Sequence, residues 1–385
     1  MSSPKQSFRP PSVVDRGQIR NNAVRFPDWR LPADGASPPP PAPEPPDQRL
    51  GMAVMGLGRV ALEEVLPALA RARNARPLAL ISGDGDKAKL VAAQYGIGLT
   101  LGYDAVDRLR DNPEIAAVYI ATPNGLHLQH VQAVAAAGKH ILLEKPMAAS
   151  TEQAEEILRI CQAAGVTLMI AYRSQFEPHL VALRDHVRNN SWGKLKAMSS
   201  TNVQTAAPND QWRYDKARAG GGSLPDIGIY CLSVAQFLSG ETPSRVFATL
   251  QQPENDPRFR EVEESCPFLL QFPSGFVAQS FNSYGAHEDK YLKLMFEDAT
   301  VEVLNAYAYR GVTMIVSRSQ GEGKSRETIE LGAESQFKLE IEHFADCIRR
   351  GETPRTGPEA AIRDHRIMDT LYRSAAEGRA LDFAL

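Results

Sequence analysis

Between Leu50 and Tyr172 the chain alternates apolar runs with amphipathic stretches, and this alternation restricts its fold more than any other feature. The runs "RLGMAVMGLG", "RPLALISG", "AAVYIATP", "KHILLEKP" and "VTLMIAY" read as strands. Helical spacing fills the gaps, from about Ala61 to Ala72, from about Asp86 to Tyr95, and through "LHLQHVQAVAAAG" and "STEQAEEILRICQAAG". Ser150 or Thr151 caps the last of these, whose early glutamates suit a positive helix terminus. Strands that are apolar throughout must be covered on both faces, and strand-helix alternation makes neighbours parallel, so a covered parallel sheet is expected.

Beyond about Tyr172 the texture changes. Helices near "EPHLVALRDHVRN" and "DIGIYCLSVAQFLSG" are followed by β-rich runs, "SRVFATLQQ", "SCPFLLQFPSGFVAQSFNS", "YLKLMFEDATVEVLN" and "VTMIVSRS". Turn signals such as "PSG" join them, which predicts a large, open, mostly antiparallel sheet in an α+β domain that supports oligomerisation. The helices "SQFKLEIEHFADCIRRG" and "GPEAAIRDHRIMDTLYRSAAEG" close the chain and are candidates to pack back on the first domain. Expected boundaries are an arm over residues 1 to 49, a first domain over 50 to 172 and a second over 173 to 385. The arm contains "LPADGASPPPPAPEPPDQR", whose prolines favour an extended conformation without a core. Two readings stay open for it: a disordered tail or linker, or an arm packed on a neighbouring subunit through the aromatics of "VRFPDWRLP".

The glycine pair Gly56-x-Gly58-x-x-Ala61 stands directly after the first strand and before the first helix. That context suits a pyrophosphate turn, since the first glycine allows a tight bend, the second a close phosphate, and the small third residue close helix packing. A doubly wound dinucleotide-binding (Rossmann) domain follows. Where an NAD site places an acid at the second strand's end, this chain reads Ser82-Gly83-Asp84-Gly85-Asp86-Lys87. Ser82, Arg59 and Lys87 instead suit a 2′-phosphate, so NADP is the expected cofactor, with Asp84 keeping NAD as the alternative. The expected contour takes in Gly56, Leu57, Gly58, Arg59 and Val60; Ser82, Gly83 and Lys87; Tyr103; and Ala121, Thr122 and Pro123. Thr122, Asn124 and His127, at the end of the run "AAVYIATP" and just after it, are expected to line its nicotinamide side. Glu144 and Lys145 end the run "KHILLEKP" and lie at the carboxyl edge of the sheet, where open α/β folds bind ligands. Downstream, "GGGSLPDIGIYCL" joins a glycine-rich loop to a helix with Asp226 and Tyr230 on one face.

Taken together, "GLGRVAL", "SGDGDKAKLVAAQYGI", "AAVYIATPNGLH", "AGKHILLEKPM", "LMIAYRSQFEP", "QWRYDKARAGGGSLPDIGIYCL", "DPRFREVEE" and "SGFVAQSFNSY" resemble the Gfo/Idh/MocA oxidoreductases, most closely their glucose-fructose oxidoreductase branch. The resemblance implies that Lys145 of "EKP" is catalytic, with Asp226 and Tyr230 completing the site. Many members carry histidine where Tyr230 stands, whereas the glucose-fructose branch carries tyrosine. It also implies that Arg173 and the pair Trp212 and Arg213 contact cofactor or substrate, and that the arm embraces a neighbour's cofactor, while Tyr309 is a further candidate cofactor contact. Tyr307 and Tyr309 share a face if "NAYAYRG" is a strand, and then simply pack. Phe176 stands where the branch has tyrosine, so one sugar contact is expected to differ. A tyrosine at its ordinary pKa near 10 is a poor base unless a cation stabilises its phenolate, and Lys145 is the expected cation, with Asp226 orienting it or binding a sugar hydroxyl. The substrate contour is thus Lys145, Arg173, Phe176, Asp226 and Tyr230.

The implied activity is NADP-dependent oxidation of an aldose at its anomeric carbon to a lactone, with bound cofactor passing hydride to a second sugar. Rival readings are an aldose dehydrogenase that releases NADPH each turnover and a non-catalytic NADP sensor. With 43% hydrophobic and 23% charged residues and a net charge of -3, nothing points to nucleic acid or an anionic membrane as partner. A small sugar and a second copy of the chain, as dimer or tetramer with arm exchange, fit better. Cys161, Cys231, Cys266 and Cys347 match no zinc spacing, so no metal is expected. Without an apolar leader or long apolar run, the location reads as cytoplasmic, or periplasmic if the sequence has been trimmed.

Overall fold

The structure, a computed structural model, describes residues 18–20, 23–25, 45, 48–205, 211–332 and 334–384. Short strands β1 (Gln18–Arg20) and β2 (Ala23–Arg25) pair as a hairpin, Gln18 opposite Arg25. Residues 26–44, with most of the aromatic and proline-rich arm, lie outside the described residues.

The first large unit follows the expected alternation. In chain order it holds β3 (Leu50–Met55), a helical stretch from Ala61 that ends in α1 (Leu66–Arg71), β4 (Ala75–Ile81), α2 (Gly85–Tyr95), β5 (Leu99–Leu101), β6 (Ile115–Ile120), α3 (His127–Ala136), β7 (His140–Glu144), α4 (Thr151–Ala164) and β8 (Leu168–Ala171). Every strand pair is parallel, in the order β5-β4-β3-β6-β7-β8. The order reverses at β3, so the crevice between the ends of β3 and β6 is where such a sheet takes ligands. The strand residues divide by parity between two apolar layers. Met52, Val54, Tyr119 and Leu142 face one, and Ala53, Met55, Val118 and Ile141 face the other. The backbone of β2 runs alongside α2 of the same chain.

The second unit contributes α5 (Pro178–Arg188), β9 (Leu195–Val203), α6 (Lys216–Ala219), α7 (Ile229–Ser239), β10 (Arg245–Ala248), β11 (Phe268–Gln271), β12 (Val277–Ser283), β13 (Asp289–Phe296), β14 (Ala299–Leu304), β15 (Thr313–Gln320) and β16 (Gly323–Ile329). Then come α8 (Gln336–Arg350), α9 (Pro358–Glu377) and β17 (Leu381–Asp382). Its nine strands run β16-β15-β14-β13-β9-β12-β11-β10-β17. All pairs are antiparallel except β9 with β12. Central β9 escapes the periodicity test because Ser200 and Asn202 occupy buried positions; Ser200 Oγ meets Ser280 Oγ at 2.8 Å, and Asn202 donates to Ile227 O at 2.9 Å. Phe247, Leu269 and Met295 stay more than one-third exposed on the opposite face.

The final helices do return to the first unit. Phe337, Ile341, Phe344 and Ala345 of α8 join the layer of Met52 and Leu142, which completes the cover of the parallel sheet. Tyr307 and Tyr309 lie in a turn after β14 rather than on a strand. Among the described residues, no helix is long and apolar enough to cross a membrane.

Candidate active site

Gly56 adopts φ +90°, and a Cβ there would stand 2.7 Å from both Ala121 O and Thr122 Cγ2. Only glycine tolerates that bend at so small a separation of β3 and β6. Around Gly58, by contrast, a Cβ would meet nothing within 4 Å, so space lies open over the start of the following helix. That helix begins with a widened turn, Leu66 N–H bonding Ala61 O. An open cleft of about 1040 Å³ runs past Gly56, Leu57, Gly58, Arg59 and Val60, then Ser82, Gly83, Asp84 and Lys87, with Tyr103, Ala121, Thr122, Pro123, Trp212 and Arg213 around it. Its bend, open cradle and basic rim fit a dinucleotide pyrophosphate. Asp84 is engaged as the cap of α2, its carboxylate accepting from Lys87 N at 3.0 Å, and its own N–H bonds Ser82 Oγ at 3.1 Å. An acid tied to a helix terminus is less available to a ribose, which leaves Ser82, Arg59 and Lys87 at the expected 2′-position.

His127 departs from expectation. As the first residue of α3 it turns inward, is fully buried, and sets its ring nitrogens against Thr122 O at 2.8 Å and Met147 O at 3.2 Å. Burial pushes its pKa down to about 4, so it is a neutral brace beneath the cleft rather than part of its lining. The wall is formed by Thr122 and Asn124. Thr122 is fixed by His130 Nδ1 at 2.9 Å, and the same His130 packs at a tilt against Tyr103 with ring centroids 4.7 Å apart.

A second cleft, of about 1070 Å³, shares Arg59, Val60, Ala121, Thr122, Trp212 and Arg213 with the first and leads from it to Glu144, Lys145, Arg173, Asp226, Tyr230 and Tyr309. Lys145 leaves the end of β7 through a cis bond to Pro146 and donates to Asp226 O at 2.6 Å and Oδ1 at 3.1 Å. Arg213 Nε and the Tyr284 hydroxyl both donate to Asp226 Oδ2, at 2.8 and 2.6 Å. Burial alone would raise the Asp226 pKa, but Arg213 and Lys145 outweigh it and hold the carboxylate well below its ordinary value. Burial also works against the Lys145 ammonium, yet Tyr230, Asp226 and Glu144 more than offset this and keep it cationic. Asp226 thus holds the lysine ammonium through two hydrogen bonds, one to its backbone oxygen and one to its carboxylate.

The Lys145 ammonium lies over the Tyr230 ring, 4.8 Å from its centroid. The cation that touches the Tyr230 hydroxyl is Arg173, whose Nε donates to it at 3.1 Å. Arg173 is itself fixed by Gln336 Oε1 at 2.7 Å and Tyr307 O at 2.8 Å, and its guanidinium carbon stands 4.5 Å from the centroids of both Tyr230 and Tyr309. The helix carrying Asp226 and Tyr230 is capped by buried Glu263, which accepts from Gly222 N at 2.9 Å and Leu224 N at 2.8 Å. Phe176 does not join the site. It is 3% exposed in the layer beneath, against His343 at 5.3 Å and under the Arg355 guanidinium at 4.6 Å, so the residue at this position cannot decide a sugar contact here. Sequence reasoning missed Tyr284, though it lies in a quoted motif, and Gln336, which carries no local signal. Among the described residues, no group of three or more His, Cys, Asp or Glu could hold a metal ion.

Comparison with known proteins identifies the family. The family described as "Oxidoreductase family, NAD-binding Rossmann fold" matches residues 50–172, and the "GFO/IDH/MocA C-terminal domain" matches 180–304. D-xylose 1-dehydrogenase (NADP(+)) 2 of Haloferax volcanii is 30% identical over 86% of this chain and 98% of its own length. A dTDP-3,4-didehydro-2,6-dideoxy-alpha-D-glucose 3-reductase of Streptomyces violaceoruber is 34% identical over 85% and 95%. The crystal structure of the aldose-aldose oxidoreductase of Caulobacter crescentus, in complex with glycerol, superimposes with a TM-score of 0.83 at 36% identity, over 87% of this chain and all of that one. With both halves matched and full-length relatives at 30% identity and above, the chain belongs to the Gfo/Idh/MocA family of oxidoreductases.

Proposed function

We propose that this enzyme, an NADP-dependent oxidoreductase acting on sugar CH–OH groups, oxidises an aldose at its anomeric carbon to the lactone and keeps its cofactor bound for reduction by a second sugar. NADP supplies the hydride acceptor and, once reduced, the hydride donor. Support for the sugar comes from the relatives, which act on xylose, aldoses or a deoxysugar nucleotide by their names.

The observation that carries the reading is the Tyr230 hydroxyl at the end of a continuous cleft, bonded by Arg173 and faced by Lys145. Tyr230 takes the proton of the anomeric hydroxyl. Arg173 donates to the phenolate oxygen along its Nε–H bond, and Lys145 places its charge over the ring, so the negative charge meets fixed cations that need no reorganisation. Asp226, already ionised and held by three donors, orients Lys145 and cannot compete for the proton. Arg59, Ser82 and Lys87 hold the 2′-phosphate end, and the Gly56–Gly58 turn the pyrophosphate. In the return half-reaction Tyr230 gives a proton to the acceptor sugar's carbonyl oxygen, so the proton balance closes over the two half-reactions.

The test is absorbance at about 340 nm, where reduced nicotinamide absorbs, on purified protein given glucose with no added cofactor. A rise that a second sugar then reverses supports the proposal. Loss of all activity on desalting, restored by added NADP, identifies a dehydrogenase that releases NADPH, as the xylose dehydrogenase relative suggests.

A further inference from the structure

Glu64 sits in the widened turn just after the glycine pair and is 3% exposed. Its carboxylate receives both guanidinium arms of Arg310, Nη1 at 3.1 Å and Nη2 at 2.6 Å. Arg310 is 246 positions away, in the turn after β14, so the pair joins the two units of the molecule. The rest of that turn is fixed as well. Gln336 Nε2 donates to Ala308 O at 2.8 Å and Tyr309 O at 3.1 Å, and the Tyr309 ring meets Phe337 edge-on at 5.4 Å. Glu64, Val60, Tyr307 and Tyr309 all line the catalytic cleft. Asn124, which lines it too, makes a second inter-unit contact, its Nδ2 donating to Ala219 O at 2.8 Å. A dinucleotide lying through both clefts is thus bordered by two inter-unit contacts, one of them a bidentate, largely buried ion pair.

We propose that the Glu64–Arg310 pair is a latch between the two units whose opening sets the rate at which the dinucleotide leaves. This rests on the reading of the cleft as an NADP site and adds a physical reason for retention. An ordinary surface ion pair would not serve, being worth at most about 1 kcal/mol, whereas a forked pair withdrawn from water is costly to break by removal of one partner. Glu64 and Arg310 are positioning residues in this scheme and touch no reacting atom.

The experiment uses the full chain loaded with NADPH and measures release by loss of bound-nicotinamide fluorescence on dilution into excess NADP, with dinucleotide per protomer after gel filtration as a second readout. Glu64→Gln and Arg310→Lys, which keep shape or charge but lose the fork, are expected to speed release by about tenfold or more. The charge swap Glu64→Arg with Arg310→Glu is expected to recover most of the loss, which a general packing defect would not allow. Release within twofold of the unaltered rate in the folded single variants overturns the latch. If Glu64→Gln fails to fold, Arg310→Lys decides alone. Failure of the unaltered chain to bind NADPH at all would instead overturn the cofactor reading, so the two failures are distinct.

Discussion

The two confluent clefts are built on opposite plans. The one around Gly56–Val60 and Ser82–Lys87 is made of backbone bends, a helix start and side chains along its rim, with open space at Gly58. In the other, charged groups answer one another before any ligand arrives: Asp226 takes donors from Lys145, Arg213 and Tyr284, and Arg173 is gripped by Gln336, Tyr307 O and Tyr230. A backbone cradle at a helix start selects its ligand by shape and by main-chain N–H groups, while charge stabilisation needs side-chain dipoles and ions already oriented. The difference predicts that substitutions in the first cleft change affinity and preference, and those in the second change turnover.

The sharpest way to break this contrast is Lys145→Ala. Loss of the fixed ammonium is expected to lower kcat by about a thousandfold, with NADP binding nearly unchanged by titration; full turnover in this variant would refute the catalytic role. Tyr230→Phe follows, with an expected loss of about a hundredfold or more in kcat, since the ring packing survives and only the proton acceptor goes. Arg173→Lys keeps the charge but not the planar fork shared among Tyr230, Gln336 and Tyr307 O, and a kcat loss of about tenfold is expected. On the other side of the comparison, Ser82→Ala or Arg59→Ala is expected to cut the preference for NADP over NAD by about tenfold while kcat at saturation holds. Equal affinity of the unaltered protein for both cofactors would remove the 2′-phosphate assignment.

The smallest effect concerns pH. Burial depresses His127, His130 and His365 from 6.5 to about 4. Between those values the unfolded chain binds protons that the folded chain refuses, so stability falls as the pH drops from 6.5 towards 4. Asp364, raised by burial to about 6, acts in the opposite sense, because its neutral form suits the folded state and is lost as pH rises through that value. An Asp364→Asn variant, which lacks this opposing contribution, is therefore expected to lose melting temperature more steeply than the unaltered chain as the pH falls from 6.5 towards 4, as measured by calorimetry.

How much of this was readable from the sequence follows the same division. The phosphate cleft is local: glycines, Ser82 and Lys87 occur in short motifs at strand ends, and the strand-helix period places them. Lys145 was legible because it ends an apolar strand. The Arg173–Tyr230 bond joins residues 57 apart, and Gln336 reaches Arg173 across 163, distances over which periodicity carries no signal. His127 was misread because a polar residue near a strand end suggests a lining group, and only the inward direction of the first turn of α3 shows a brace. Strand β9 was overlooked because its buried serine, Ser200, and asparagine, Asn202, are satisfied by partners from β12 and the helix that carries Asp226.

Gln336 also bears on the order in which the protein becomes active during synthesis. A nascent chain emerges with the nucleotide-type domain first, and residues 50 to 172 already include Lys145. The clamp on Arg173 and on the 308–309 backbone, however, comes from a residue 163 positions later. Until α8 leaves the ribosome the guanidinium lacks its Gln336 partner. Because the same helix completes the cover of the parallel sheet, the dinucleotide cleft and the charged cleft beyond it both mature near the end of synthesis.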